Sequence, residues 1–147
     1  MLTIDTVTCQ VNNEKILYVS WKDYDPFMKL HFEAYFFSII DRLRQENIKK
    51  LILDCSCRRH HPSATDFKEI FELFLSGLST SNLQKMARIC PQDPKVSLKL
   101  GGLLENIKEE LDLDFELQNF KTPEAAQSWL VAENNLPEES RSNKSEN

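Results

Sequence analysis

Lys49-Lys50-Leu51-Ile52-Leu53-Asp54 is the stretch from which the fold is read. Three large aliphatic residues stand in a row between a lysine pair and an aspartate. A strand covered on one face alternates apolar and polar side chains. A strand covered on both faces becomes a continuous apolar run, as in parallel sheets flanked by helices. The run therefore predicts a central, buried strand of an α/β sheet, with an acidic residue at its carboxyl end.

Upstream, Met28, Phe32, Phe36, Ile39 and Leu43 recur at helical steps and predict a helix over 27–46. Asp25-Pro26 supplies its cap and a proline at the first helical position. Tyr35, Phe37 and Ile40 widen the stripe, either as a broad core face or as a contact with a second copy of the chain. Further back, Ile16 to Trp21 suits a pleated surface. It is joined through Asn12-Asn13-Glu14 to a weakly alternating segment over 3–11, which predicts a hairpin.

Downstream of the central run, a loop from Cys55 to Pro62 leads into a helix over Ala64 to Leu78, with Phe67, Ile70, Phe71, Phe74 and Leu78 inward. A strand over 85–90 follows, and Pro91-Gln92-Asp93-Pro94 breaks it. The next helix carries Leu100, Leu103, Leu104, Ile107 and Leu111. Its start is expected between Lys95 and Gly102, because each of Gly101 and Gly102 weakens a helix by about 1 kcal/mol relative to alanine. Phe115 to Phe120 alternates as a last strand, and Thr122-Pro123-Glu124 opens a last helix with Trp129 and Leu130 packed inward. The order β-β-α-β-α-β-α-β-α predicts a mixed, mostly parallel sheet with helices packed against it. Residues 1–131 are expected to form one domain. The polar stretch 132–147 has too little apolar surface to offset its ordering entropy and is expected to be a disordered tail.

Composition narrows the function. The net charge of −5 disfavours a nucleic-acid partner, which needs a basic face, and a polybasic membrane anchor. No run approaches the ~18 apolar residues that span a bilayer, and the N-terminus has no basic, apolar leader, so a cytoplasmic protein is expected. Cys9, Cys55, Cys57 and Cys90 are then expected as thiols. With only three glycines, and with Lys99-Leu100-Gly101-Gly102 lacking the rest of a P-loop, no phosphate-cradling loop is expected.

Three stretches carry a family resemblance: Ile16-Leu17-Tyr18-Val19-Ser20-Trp21, Lys49 to Asp54, and Phe120-Lys121-Thr122-Pro123-Glu124-Ala125-Ala126-Gln127-Ser128-Trp129-Leu130. Together with the element order, they resemble the STAS domain and, within it, small bacterial proteins similar to the sporulation anti-sigma-factor antagonist. The resemblance implies a STAS-like α/β fold and a non-enzymatic signalling module that docks to a protein partner. In antagonist members a serine in an Asp-Ser-Ser-Gly run after the central strand is phosphorylated. The same distance from Asp54 falls on Ser63, within His61-Pro62-Ser63-Ala64, which lacks the aspartate, the second serine and the glycine.

Read from the residues, Ser63 with Asp66 three positions on is a variant capping box. A phosphate on Ser63 would also suit the positive helix end, which makes it the candidate phosphoacceptor. Arg58, Arg59, His60 and His61 form the locally basic patch of an acidic chain, in the loop after a central strand where open α/β sheets place ligands. They are, with Ser63, the candidate partner- or anion-binding residues, and Cys90 to Asp93 is the expected opposite wall. Cys55-Ser56-Cys57-Arg58-Arg59-His60-His61 has poor zinc spacing, since Cys-x-Cys and adjacent histidines do not converge, so no metal and no cofactor are expected. Neither Asp54 nor a Cys–His pair has an orienting third group, and no catalytic residue is assigned. The rival to partner docking is a carrier domain holding a small apolar or anionic ligand, with the nine phenylalanines as lining or as core.

Overall fold

The computed structural model describes residues 4–23, 31–56 and 60–132. Strands β1 (Ile4–Val11) and β2 (Glu14–Trp21) form the expected hairpin. Asn12 and Asn13 take φ of 53° and 66°, the left-handed pair of a two-residue turn whose twist matches the strands, and asparagine adopts it at low cost. Helix α1 (Phe32–Gln45) follows; the earlier part of the expected helix, with the Asp25-Pro26 cap, lies outside the described residues. It ends on Asn47 in the left-handed region (φ 52°). Ile48 N–H donates to Leu43 C=O at 2.9 Å and Asn47 N–H to Arg44 C=O at 3.3 Å, a Schellman closure that aims the chain into β3 (Lys50–Asp54). Helix α2 (Ala64–Leu78), β4 (Lys85–Ile89), helix α3 (Pro94–Glu110), β5 (Glu116–Phe120) and helix α4 (Pro123–Ala132) complete the order read from the sequence.

The sheet order is β1-β2-β3-β4-β5, with β1 antiparallel to β2 and every later pair parallel. The architecture is the expected mixed, mostly parallel α/β sheet, and the 51–54 run lies in its middle strand, buried throughout. Each crossover steps one strand in the same direction. With right-handed crossovers this puts all connecting helices on one face. Accordingly α1, α2 and α3 cover one core with Leu17, Leu51, Leu53 and Met86, while α4 covers a second core with Ile16, Ile52, Ala87 and Ile89.

Aromatic rings fill the first core. Trp21 sits 5.1 Å from Phe32 and 6.2 Å from Phe71, while Phe67–Phe71 and Phe36–Phe74 each stack at 4.4 Å. The phenylalanine stripe is spent on ring-to-ring packing. Of the three residues that widen α1, Ile40 is buried and Tyr35 packs partly on the core; Phe37 stays 57% exposed.

Two lysines that begin strands point into the second core, and both are 4% exposed. Lys50 and Lys85 are paired across β3 and β4. Lys50 Nζ donates to Leu130 C=O and pairs with Glu14 at 2.9 Å; Lys85 Nζ donates to Trp129 C=O at 3.0 Å and lies over the Trp129 ring. The last turn of α4 thus meets two ammonium groups, which satisfy its open carbonyls and its negative dipole end.

The start of α3 corrects one expectation. The helix begins at Pro94, ahead of the window from Lys95 to Gly102, because the Asp93 side chain accepts from Lys95 N–H at 3.0 Å and Pro94 takes the first turn. Gly101 and Gly102 therefore sit mid-helix, and a Cβ added at either meets no atom within 4 Å. Gly102→Ala is expected to stabilise the protein by about 0.5–1 kcal/mol, seen as a higher urea midpoint at unchanged slope. The last helix reaches Ala132, one residue past the expected domain edge; the rest of the expected tail lies outside the described residues. No helix among the described residues is long and apolar enough to cross a membrane.

Candidate functional site

Parallel strands β2 to β5 all end at the same edge of the sheet, so the loops that follow them gather there. Asp54, at the end of β3, is built into that edge. Its Oδ2 accepts from the Tyr18 hydroxyl on β2, and its Oδ1 accepts from Ser56 N–H at 2.9 Å and Ser56 Oγ at 2.6 Å. Three donors fix this buried carboxylate, which latches the first turn of the exit loop.

The same loop is tied again farther on. His60 N–H donates to Asp23 Oδ1 at 2.7 Å, and His60 Nδ1 lies 2.9 Å from Asp23 Oδ2. Asp23, after β2, thereby holds both the backbone and the ring of His60, whose side chain remains 73% exposed. The expected basic patch thus has a carboxylate built beside it. His61 is half-buried and Pro62 buried; Ser63 is exposed. Ser63 Oγ accepts from Asp66 N–H at 3.1 Å, so the serine is the N-cap of α2 that its sequence context predicts. Arg58, Arg59 and Cys57 lie outside the described residues.

Cys90, Pro91 and Gln92 of the expected opposite wall border a cleft with the turn after β5, which no described residue of the β3 exit loop lines. Pro94, Ser97 and Lys121 complete its lining, and its volume is about 290 Å³. Cys90 N–H donates to Phe120 C=O at 2.9 Å, which anchors that wall to the last strand. Cys9, Cys55 and Cys90 are free thiols. Among the described residues, no three His, Cys, Asp or Glu side chains converge as a metal would require.

Sequence reading missed Tyr18, Asp23 and Arg88. Arg88 is fully buried on β4, under α2. Its partners are Asn119 Oδ1 at 3.1 Å and the Cys90 sulfur at 3.7 Å, both taken by Nη1.

The chain matches no family model and no curated protein sequence. It is similar in structure to an anti-sigma factor antagonist. That protein, from Mycobacterium paratuberculosis, is known from a crystal structure; the match covers 86% of this chain and 93% of that one, at 12% identity and a TM-score of 0.49. With so few side chains shared, the chemistry of the surface rests on this chain's own residues.

Proposed function

We propose that the chain is a non-enzymatic, cytoplasmic regulatory module that docks to a protein partner through the exit loop of β3 and the start of α2. The observation that carries this reading is the double grip of Asp23 on His60. With the Ser56 latch on one side and the Ser63 cap on the other, the described parts of the loop are held in place while His60 and Ser63 face solvent. A loop ordered in advance gives up less entropy on binding. Arg58 and Arg59 belong to the same loop and supply charge for an acidic partner segment.

Ser63 is the residue at which a switch would act. A phosphate there would meet the first-turn amides of α2 and its positive dipole end, and would change the charge of the docking surface by about −1.5 to −2. Self-association is a second mode of the same module, for which Phe37 offers exposed apolar surface on α1.

The test is capture from the organism's own extract followed by titration of the captured protein. The double variant Arg58→Glu, Arg59→Glu is expected to weaken binding at least tenfold while leaving thermal stability unchanged. Equal binding by the double variant would remove the loop from the interface.

A further inference from the structure

We propose that Arg88 anchors a second, small-molecule site, one that takes a carboxylate- or phosphate-bearing anion on the Nε/Nη2 edge of its guanidinium. Arg88 is fully buried, yet Nε and Nη2 have no hydrogen-bond partner among the described residues. Asn119 and Cys90 both occupy Nη1. The two open donors are therefore not scattered. They form the side-on fork of the guanidinium, two parallel N–H groups spaced to meet two oxygens of one carboxylate or phosphate.

The surroundings keep the charge in place without satisfying that fork. Phe67 and Phe71 lie 5.8 and 5.9 Å from Cζ. An aromatic face attracts the cation but does not replace an oxygen acceptor for both N–H groups. Arginine does not escape burial by losing its proton, as a lysine can. A buried, permanently charged group with its bidentate edge open is complete only when an anion is present.

The entrance we assign to this site is the cleft beside Cys90. Cys90 lines it, and its sulfur is 3.7 Å from Nη1, so the same thiol borders the cleft and the guanidinium. Lys121 adds a second positive charge to the lining. At about 290 Å³, the cleft is at the small end of ligand sites and suits a compact anion. This site is distinct from the docking loop, and its existence does not depend on a protein partner.

The experiment uses the full chain, labelled with ¹⁵N, and follows the Arg88 Nε–H resonance, assigned through its proximity to the Phe67 and Phe71 rings. Inorganic phosphate and acetate are titrated separately, with chloride at matched ionic strength as control. A saturable shift with phosphate or acetate, absent with chloride, is expected, and the anion that saturates first names the chemistry. Arg88→Lys, which keeps the charge but removes the fork, is expected to weaken the apparent affinity at least tenfold. A wild-type resonance that moves with neither anion overturns the proposal whether or not the variant folds. So does an Arg88→Lys protein that binds as wild type does.

Discussion

Phe71→Ala is expected to cost about 3–5 kcal/mol of stability, among the largest losses a single truncation can produce in this chain. Phe71 has no exposed surface and packs α2 against the sheet in the first core. It stacks on Phe67 at 4.4 Å and on Trp21 at 6.2 Å, and meets Phe74 edge-on at 6.4 Å. Removing it leaves a cavity walled by stiff rings that collapse poorly, so a cavity cost adds to the lost transfer energy. Urea unfolding followed by Trp21 emission measures it. Leu73→Ala, on the same helix but 45% exposed, is the control and is expected to change stability by no more than about 0.5 kcal/mol.

Lys50→Ala is expected to cost about 3 kcal/mol, through the polar groups it strands. Leu130 C=O loses a donor at the closed end of α4, and Glu14, 24% exposed, loses its ion-pair partner. The damage falls on α4, whose C-terminal turn keeps only the Lys85 ammonium of the two. Hydrogen exchange is the discriminating measurement. Amides of α4 should open roughly a hundredfold more readily than in the parent protein, while those in the centre of α2 change less. Uniform loss of protection across both helices would mean that Lys50 supports the whole fold and not the docking of α4.

The fold was legible because its signals are local. The aliphatic run at 51–53 announces a strand buried on both faces, and Thr122-Pro123 announces α4. Asp93-Pro94 carries the same cap-and-proline signal and marks the true start of α3; the two glycines that follow drew the expectation away from it. The site was legible only in part, because its ties are non-local. Asp23 and His60 are 37 residues apart, and Tyr18 and Asp54 are 36 apart. The second of these depends on a register between β2 and β3 that no local pattern encodes. Arg88 was hidden for a related reason. In a strand buried on both faces, alternation no longer reports which face a residue occupies, so a buried arginine reads like a strand-end polar residue. Lys50 reads in the sequence as a polar lead-in to β3, yet it points into the core under α4.

The docking account turns on whether the surface bearing His60 and Ser63 touches another protein in living cells. A photoreactive residue placed at position 60 or 63 and activated in the native host reports this directly. Leu98, 81% exposed on α3, provides the comparison position. The account predicts one discrete protein adduct from positions 60 and 63 that is absent from position 98. No adduct at either loop position, or the same adducts from all three, would contradict it.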